Sequence, residues 1–498
     1  MTYKLLTWIG GALFAFCLAK KISDLYDCEI SAVIDVDNQK KNFFETQKLT
    51  KFQNTWYYRE HVDVDPNRKP DMEYLISFEK KTGISLWNLA FSERAFYKYN
   101  DYYQFKYNEI LSILEQECKL FEQVLDEVKP DFLIIGVTDS HNNTLFSDLC
   151  KARKIPVLML GGSRFGGRDL ISSEVDTLDG DIKPSYGGTK ENKTLDELRE
   201  YLYKFDSTKA LNKFKEGAHF SPFAKAKKFF KLVFIFGRKD YQNHYLRRGM
   251  SSFNILKTLP ILYLKRRNAN NFANKNFKRN LNDELPFVYY PLHSDPERAL
   301  LIAAPFYTNQ IEIITSIAKS IPVGYKLFVK DHPIIAIKGG RKSSFYKEIM
   351  KLPNVQLIHP SVKQEEILKK ASLVITISGT AGLEAAFYGK PSIIFTHTLF
   401  SSLPSVYELK NIEELPSAIR TSLDRKVNPS DLQQFIEFIN NNSFELERHL
   451  WAIDIRIRFH QKKIPESAMK AFMDEYDSQL EILALEYIKK IKKYKDKK

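Results

Sequence analysis

LVITISGTAGLEAAFYGKPSIIF, residues 373–395, divides into three pieces. Leu373 to Ile377 is a near-continuous apolar run ending at Ser378, the pattern of a strand covered on both faces of a parallel sheet. Gly379-Thr380-Ala381-Gly382 is a turn of small residues. A helix follows and closes at Gly389-Lys390-Pro391, where glycine permits a left-handed cap and proline forbids continuation. Ser392 to Phe395 then opens the next strand. Strand, small-residue turn, helix and strand make the repeating unit of an α/β fold. The unpaired N–H groups at the helix start suit a phosphate, and small residues let it approach the backbone. Ser378 and Thr380 add hydroxyl donors, and Glu384, one turn further on, can accept from a ribose hydroxyl. The glycines also have a plainer use, close packing of helix on strand, with Thr380 as an ordinary cap.

Working outward, the same alternation recurs. FVYYPL (287–292), a helix around Gln310 to Ser320, YKLFVKDHP (325–333), VQLIHP (355–360) and a short helix Glu365 to Lys370 precede the quoted stretch. Far upstream, Asp101 to Val128 is predicted to be a long amphipathic helix stopped by Lys129-Pro130. DFLIIGV (131–137), a polar loop, a helix through Cys150 and VLMLGG (157–162) follow it as a β-α-β unit. Leu5 to Ala19, LLTWIGGALFAFCLA, has the apolarity of a signal-peptide core but is short for a membrane span. A strand, a Gly10-Gly11 turn and a helix to Tyr26, running into the strand Ile30 to Ile34, accounts for it better. The expected architecture is α/β: two Rossmann-like domains with a cleft between them and a helical C-terminal tail. The expected boundaries are 1–205 for the acceptor or catalytic domain, 206–285 for a basic linker, 286–427 for the nucleotide-binding domain and 428–498 for the tail.

Ligands of open parallel sheets bind beyond the carboxyl ends of the strands. The Gly379 turn lies there, and so does Lys330-Asp331-His332-Pro333. An imidazole at that edge can donate to a leaving phosphate and stabilise the charge that develops on it. The order PLHSDPE (291–297), KDHP (330–333) and SGTAGLEAAFYGKPSI (378–393) resembles the capsule polysaccharide biosynthesis protein family, which includes Kdo transferases. The likeness runs from about Phe287 to Leu403, with weaker echoes in WNLAFSERAF (87–96), KPDFLIIGVTDS (129–140) and LGGSRFGG (160–167).

That resemblance implies a glycosyltransferase of the two-Rossmann GT-B type with CMP- or CDP-linked chemistry, a CMP-linked nucleotide sugar being the first expectation for the donor. Lys330, His332, Pro333, Ser378, Gly379, Thr380 and Gly382 would hold the donor phosphate and Glu384 the ribose. His293 and Glu297 would sit at the cleft edge. Ser294-Asp295 stands where relatives carry an aromatic-Gln pair, which leaves the donor sugar open. The catalytic carboxylate of such enzymes comes from the first domain. Asp139, after the strand LIIGV, is the first candidate, as base or as nucleophile. Asp295 is the second, and each also fits a turn cap. Arg164, after VLMLGG, can pair with a sugar carboxylate or phosphate.

Composition sets further bounds. At 498 residues, with 44% hydrophobic and 27% charged residues, the chain is a globular protein of more than one domain. Its four cysteines lack zinc or disulfide spacing, which fits reduced thiols in the cytoplasm. Asp35-Asp37, Asp63-Asp65 and Asp179-Asp181 have the form of a metal-diphosphate triplet. Short matches of this kind arise by chance among 61 acidic residues, and no metal or other cofactor is expected. The net charge of +14 calls for anionic partners. From Lys209 to Arg279 the acids are Glu216 and Asp240 alone, and KKIKKYKDKK ends the chain. Basic residues interleaved with Phe, Tyr, Leu and Ile suit the inner face of an anionic membrane, giving a peripheral location. A solvated linker is the plainer reading. No nucleic-acid recognition motif is present. The expected acceptor is a lipid-linked or growing glycan, within a polysaccharide assembly complex. A polyol-phosphate transferase using CDP-glycerol, a scaffold without turnover and a nucleotide-sugar epimerase are the competing readings.

Overall fold

Tyr3–Ile9 forms β1, whose last five residues are buried, as expected of a strand covered on both faces. The Gly10-Gly11 turn reverses the chain into the helix Phe14–Leu25, and β2 (Cys28–Ile34) returns parallel to β1. Leu5 to Ala19 is thus shared between a core strand and a core helix. The structure, a computed structural model, describes residues 2–164, 166–180, 182–187, 193–204, 230, 233–234, 244–332, 335, 341–459 and 463–495. Pro333, Lys225, Lys227 and Lys228, much of the basic stretch beyond 205 and the last three residues lie outside this set.

The first sheet continues with β3 (Thr55–Tyr57), β4 (Phe132–Gly136), β5 (Val157–Gly162) and β6 (Arg168–Ser172). Its order is β3-β2-β1-β4-β5-β6, with β1 to β5 parallel and β6 antiparallel to β5. The second sheet holds β7 (Phe287–Pro291), β8 (Lys326–Lys330), β9 (Val355–Ile358), β10 (Leu373–Thr376), β11 (Ser392–Ile394) and β12 (Val406–Glu408). All its pairings are parallel and its order is β9-β8-β7-β10-β11-β12. Both sheets thus follow the doubly wound order, with the topological switch between β1 and β4 in one and between β7 and β10 in the other.

The long helix begins at Tyr107, later than its apolar pattern suggests. The Asn100 carboxamide oxygen accepts the N–H groups of Tyr102 and Tyr103, holding that stretch in a turn. Glu109 then accepts the Lys106 N–H and starts the helix.

The tail returns to the first sheet. Phe444–Glu445 adds a short antiparallel strand, β13, to β6, so the expected helical run is interrupted there. An open sheet edge leaves backbone groups unpaired, and β13 pairs part of it. The helices Arg448–Phe459, Glu466–Glu475 and Asp477–Lys495 then pack against Phe14–Leu25 and its strands. Trp451, Phe472 and Tyr487 share one buried cluster with Phe16 and Ile22. Each such side chain stabilises the arrangement by roughly 1.5–3 kcal/mol relative to exposure. Among the described residues, no helix is long and apolar enough to cross a membrane.

Candidate functional site

The β7–β10 switch is closed by a histidine. His293 follows β7, and its Nε2 accepts the Ile377 N–H at 3.1 Å. Thr376 Oγ1 lies 3.1 Å from the same nitrogen and itself accepts the Gly379 N–H. Because a backbone N–H can only donate, Nε2 carries no proton and the ring is neutral with its proton on Nδ1. Burial, helped by the charges of Arg164, His332 and Arg341, lowers its pKa to about 3. A Cβ at Gly379 would lie 2.7 Å from Thr376 Oγ1 and 3.2 Å from the His293 ring, so only glycine fits. A Cβ at Gly382 would lie 3.1–3.3 Å from Phe400, Thr376 and Ile394, a tighter fit than usual that asks those side chains to give by a few tenths of an ångström. Gly379 is therefore required by packing, whether or not a ligand is bound, and Gly382 is favoured by it.

Around this core the predicted donor residues are placed unequally. Ser378 is buried, while Thr380 is exposed and donates to Glu384 at 2.8 Å. The other Glu384 oxygen accepts from Gln364 at 2.7 Å, so the carboxylate is held on both sides. Lys330 ends β8 with its side chain buried, facing Glu366 and Glu384, and its ammonium makes no hydrogen bond among the described residues. Burial lowers its pKa, and the two carboxylates only partly oppose this. His332 is exposed, and its N–H donates to Asp331 at 2.8 Å. Asp295 pairs with Arg341 at 2.5 Å and accepts from Gln310 at 3.1 Å. Arg341 also donates to the His293 carbonyl and faces Asp331, to which the Tyr346 hydroxyl donates.

The two sheets meet across a cleft of about 560 Å³. Arg164, in the left-handed region at φ 61°, forms a two-pronged pair with Asp176 and donates to the Ser378 carbonyl. It thereby ties the loop after β5 to the turn after β10. From the other side, Arg298 donates to the Thr138 carbonyl at 2.9 Å. Arg94 donates to the Asp139 carbonyl at 3.1 Å, and Arg448, from the tail, pairs with Asp169 at 2.9 Å. Burial lowers the pKa of Arg298 and raises that of Asp169 to about 6. Glu297 and Thr380 line the same cleft. Five arginines, Arg168 among them, line it against Asp169, Asp176 and Glu297, an arrangement able to receive an anion.

Asp139 is exposed on the first domain's side and accepts from the Asn143 carboxamide at 3.2 Å. It opens onto a neighbouring cavity of about 380 Å³ shared with Asp35, Arg94 and Tyr99. Beneath it lies a group that sequence reasoning missed. His141 is fully buried, with Nδ1 2.6 Å from Glu93 and Nε2 2.9 Å from Glu117. Burial alone would lower its pKa, but Glu117 and Glu93 outweigh it and raise the value to about 10. Burial would likewise raise Glu93, yet the hydrogen bond and charge of His141 leave it lowered. The Tyr58 hydroxyl donates to Glu117 and completes the network.

Arg94, Arg298, Arg448, Gln364 and His141 were not singled out by sequence reasoning. Arg94 lies inside WNLAFSERAF and Arg298 directly follows PLHSDPE, so a signal was at hand for both. Arg448 reaches the cleft only because the tail folds back, and no local pattern marks it.

Residues 209–437 match the profile of the family described as capsule polysaccharide biosynthesis protein. No curated protein matches the chain. Among solved structures it is similar to the UDP-GlcNAc 2-epimerase of Neisseria meningitidis bound to UDP-GlcNAc, at 12% identity over 88% of this chain and 98% of that one, with a TM-score of 0.23. It is similar to Thermosulfurimonas dismutans KpsC, a beta Kdo 2,7 transferase, at 13% identity over 69% and 90%, with a TM-score of 0.31. The N-terminal domain of Candida albicans trehalose-6-phosphate phosphatase matches at 11% identity over 91% and 97%, with a TM-score of 0.31. At these identities and scores the solved structures fix neither substrate nor reaction.

Proposed function

We propose that this protein, whose residues 209–437 match the profile of the capsule polysaccharide biosynthesis protein family, is a glycosyltransferase that moves a sugar from a CMP-linked donor to a lipid-linked or growing glycan. The observation that carries this reading is the cleft between the two switch points, where Thr380 and Arg298 of the second sheet face Arg94, Arg164 and Arg448. Fixed cations aimed at a place where phosphate charge develops stabilise a departing nucleotide without reorganising.

In this reading the donor phosphate lies between the Ser378–Thr380 turn, Lys330 and the cleft arginines. As the bond from the anomeric carbon to phosphate oxygen breaks, the electron pair goes to the phosphate. His332, Lys330 and Arg298 meet the new charge. A lysine that burial has made easier to deprotonate gains most from a phosphate partner, since the anion restores the favoured charged form. Asp139 opens onto the neighbouring cavity, within electrostatic reach of Arg298, and is the first candidate for the catalytic carboxylate. It removes the proton of the acceptor hydroxyl if configuration inverts, or forms the covalent sugar intermediate if configuration is retained. Asp295 is the weaker candidate because Arg341 and Gln310 already engage it. The positive field comes from side chains, so chelators should leave turnover unchanged.

The test is a thermal-shift panel of CMP, CDP, UDP, GDP and ADP on the native protein and on His332→Ala. A ligand at a hundredfold its dissociation constant adds about 2.7 kcal/mol to the native state. The expected result is a CMP- or CDP-selective shift that the variant loses. Selectivity for UDP would discard the CMP-linked donor. No shift with any nucleotide would favour a scaffold without turnover.

A further inference from the structure

The helix Ser252–Asn276 is 25 residues long, yet only Ile255 and Ala269 on it are buried. Residues of an α-helix advance about 100° each, so Ile255 and Ala269 lie close to one line and face the protein. The other side of the helix, over an arc of about 100°, carries Phe253, Leu256, Pro260 and Leu264, with Tyr263 at the edge of the arc. Phe253 is 73% exposed, Tyr263 65%, Leu264 55% and Leu256 47%. Large apolar side chains are thus presented outward on the face furthest from the protein, the reverse of an ordinary surface helix. Beside the helix start, where the Ser252 hydroxyl donates to the Val233 carbonyl, Phe230 and Phe234 are also exposed, with their rings stacked 4.7 Å apart.

The charge on this helix has one sign. Lys257, Lys265, Arg266, Arg267 and Lys275 stand on it, and no Asp or Glu does. Lys257 flanks the apolar arc and Arg267 lies within it, and both are exposed. Pro260, in the same arc, leaves the Leu256 carbonyl without an intrahelical donor, which the wet headgroup layer can supply. The helix is also not apolar enough to cross a membrane.

We infer that the outward face of Ser252–Asn276 docks in the plane of an anionic membrane surface, with Phe253, Leu256, Tyr263 and Leu264 entering the acyl boundary and Lys257 and Arg267 meeting anionic headgroups. A protein partner would need acidic residues against the cations and a groove for four large side chains, whereas an anionic bilayer offers both environments at once. This assignment does not depend on the transfer chemistry and is scored without any donor.

The experiment is co-sedimentation of the full chain with vesicles of phosphatidylcholine alone or mixed with phosphatidylglycerol. Native protein should prefer the anionic vesicles by roughly tenfold, and added salt should weaken the preference. Phe253→Ser combined with Leu256→Ser and Leu264→Ser should abolish binding to both vesicles without changing the melting temperature, since all three side chains are exposed. Lys257→Gln with Arg267→Gln should remove the anionic preference. His332→Ala should bind vesicles like the native chain, which separates failure here from failure of the proposed reaction. The inference is overturned if native protein shows no anionic preference or if the triple serine variant binds normally. Loss of binding only on changing Lys489, Lys492 and Lys493 of the tail would also overturn it. So would a native dimer that becomes monomeric in the triple variant while vesicles are ignored, for the face would then belong to a second copy.

Discussion

Each half of the molecule hides a histidine beside its topological switch, and the two are held in opposite states. His141, opening the helix after β4, sits between Glu93 and Glu117 and is charged, with its pKa raised to about 10. His293, following β7, receives a backbone N–H and faces Arg164, His332 and Arg341, and its pKa falls to about 3. Burial pushes both toward the neutral form. Neighbouring carboxylates overcome that push in the first half, while neighbouring cations add to it in the second. Burial alone therefore does not decide the charge of a histidine, because carboxylates within hydrogen-bond reach can override it.

The sharpest way to break the comparison is His141→Ala, which leaves two buried carboxylates without their cation. Loss of about 3–5 kcal/mol is expected in a denaturant titration, the usual cost of stranding a buried charge. His293→Ala removes a neutral acceptor and should cost less, about 1–3 kcal/mol, from the unsatisfied Ile377 N–H. If the two losses are equal, the charge assignment fails.

Their pH dependences should also oppose each other. The stability contributed by His141 is complete below its ordinary value of 6.5 and is lost as pH rises toward about 10. That contributed by His293 is complete above 6.5 and is lost as pH falls toward about 3. His141→Ala should flatten the alkaline limb of stability and His293→Ala the acid limb, each read from melting temperature across a pH series.

Gly379→Ala probes the second crevice alone. Its new Cβ would strike Thr376 Oγ1 and crowd the His293 ring, so a cost of about 1–3 kcal/mol is expected, together with a weaker nucleotide shift. The smallest stability effect belongs to Lys330→Met. Exchanging a buried lysine for an unbranched apolar chain of similar length should change the melting temperature little, within about 1 kcal/mol, while removing the nucleotide shift. A shift that survives would detach Lys330 from the donor site.

Much of this architecture was legible because parallel strands buried on both faces leave near-continuous apolar runs. LVITIS, DFLIIGV and VLMLGG read correctly for that reason, and the small residues from Gly379 to Gly382 marked the turn. The boundary at Tyr107 was not legible, since an Asn100 side chain competed with the helix for backbone donors. Nor was β13, two residues whose pairing exists only because β6 offers an open edge.

The sequence alone therefore determined the alternation of strands and helices, the α/β class and the crevice turn, because these follow from periodicity and turn chemistry within a few residues. The tertiary structure decided which histidine carries a proton, that Arg164 grips the Ser378 carbonyl, and that Arg448 enters the cleft from the tail. Those outcomes depend on neighbours tens to hundreds of residues apart, and electrostatic state is set by distance in space rather than by distance along the chain.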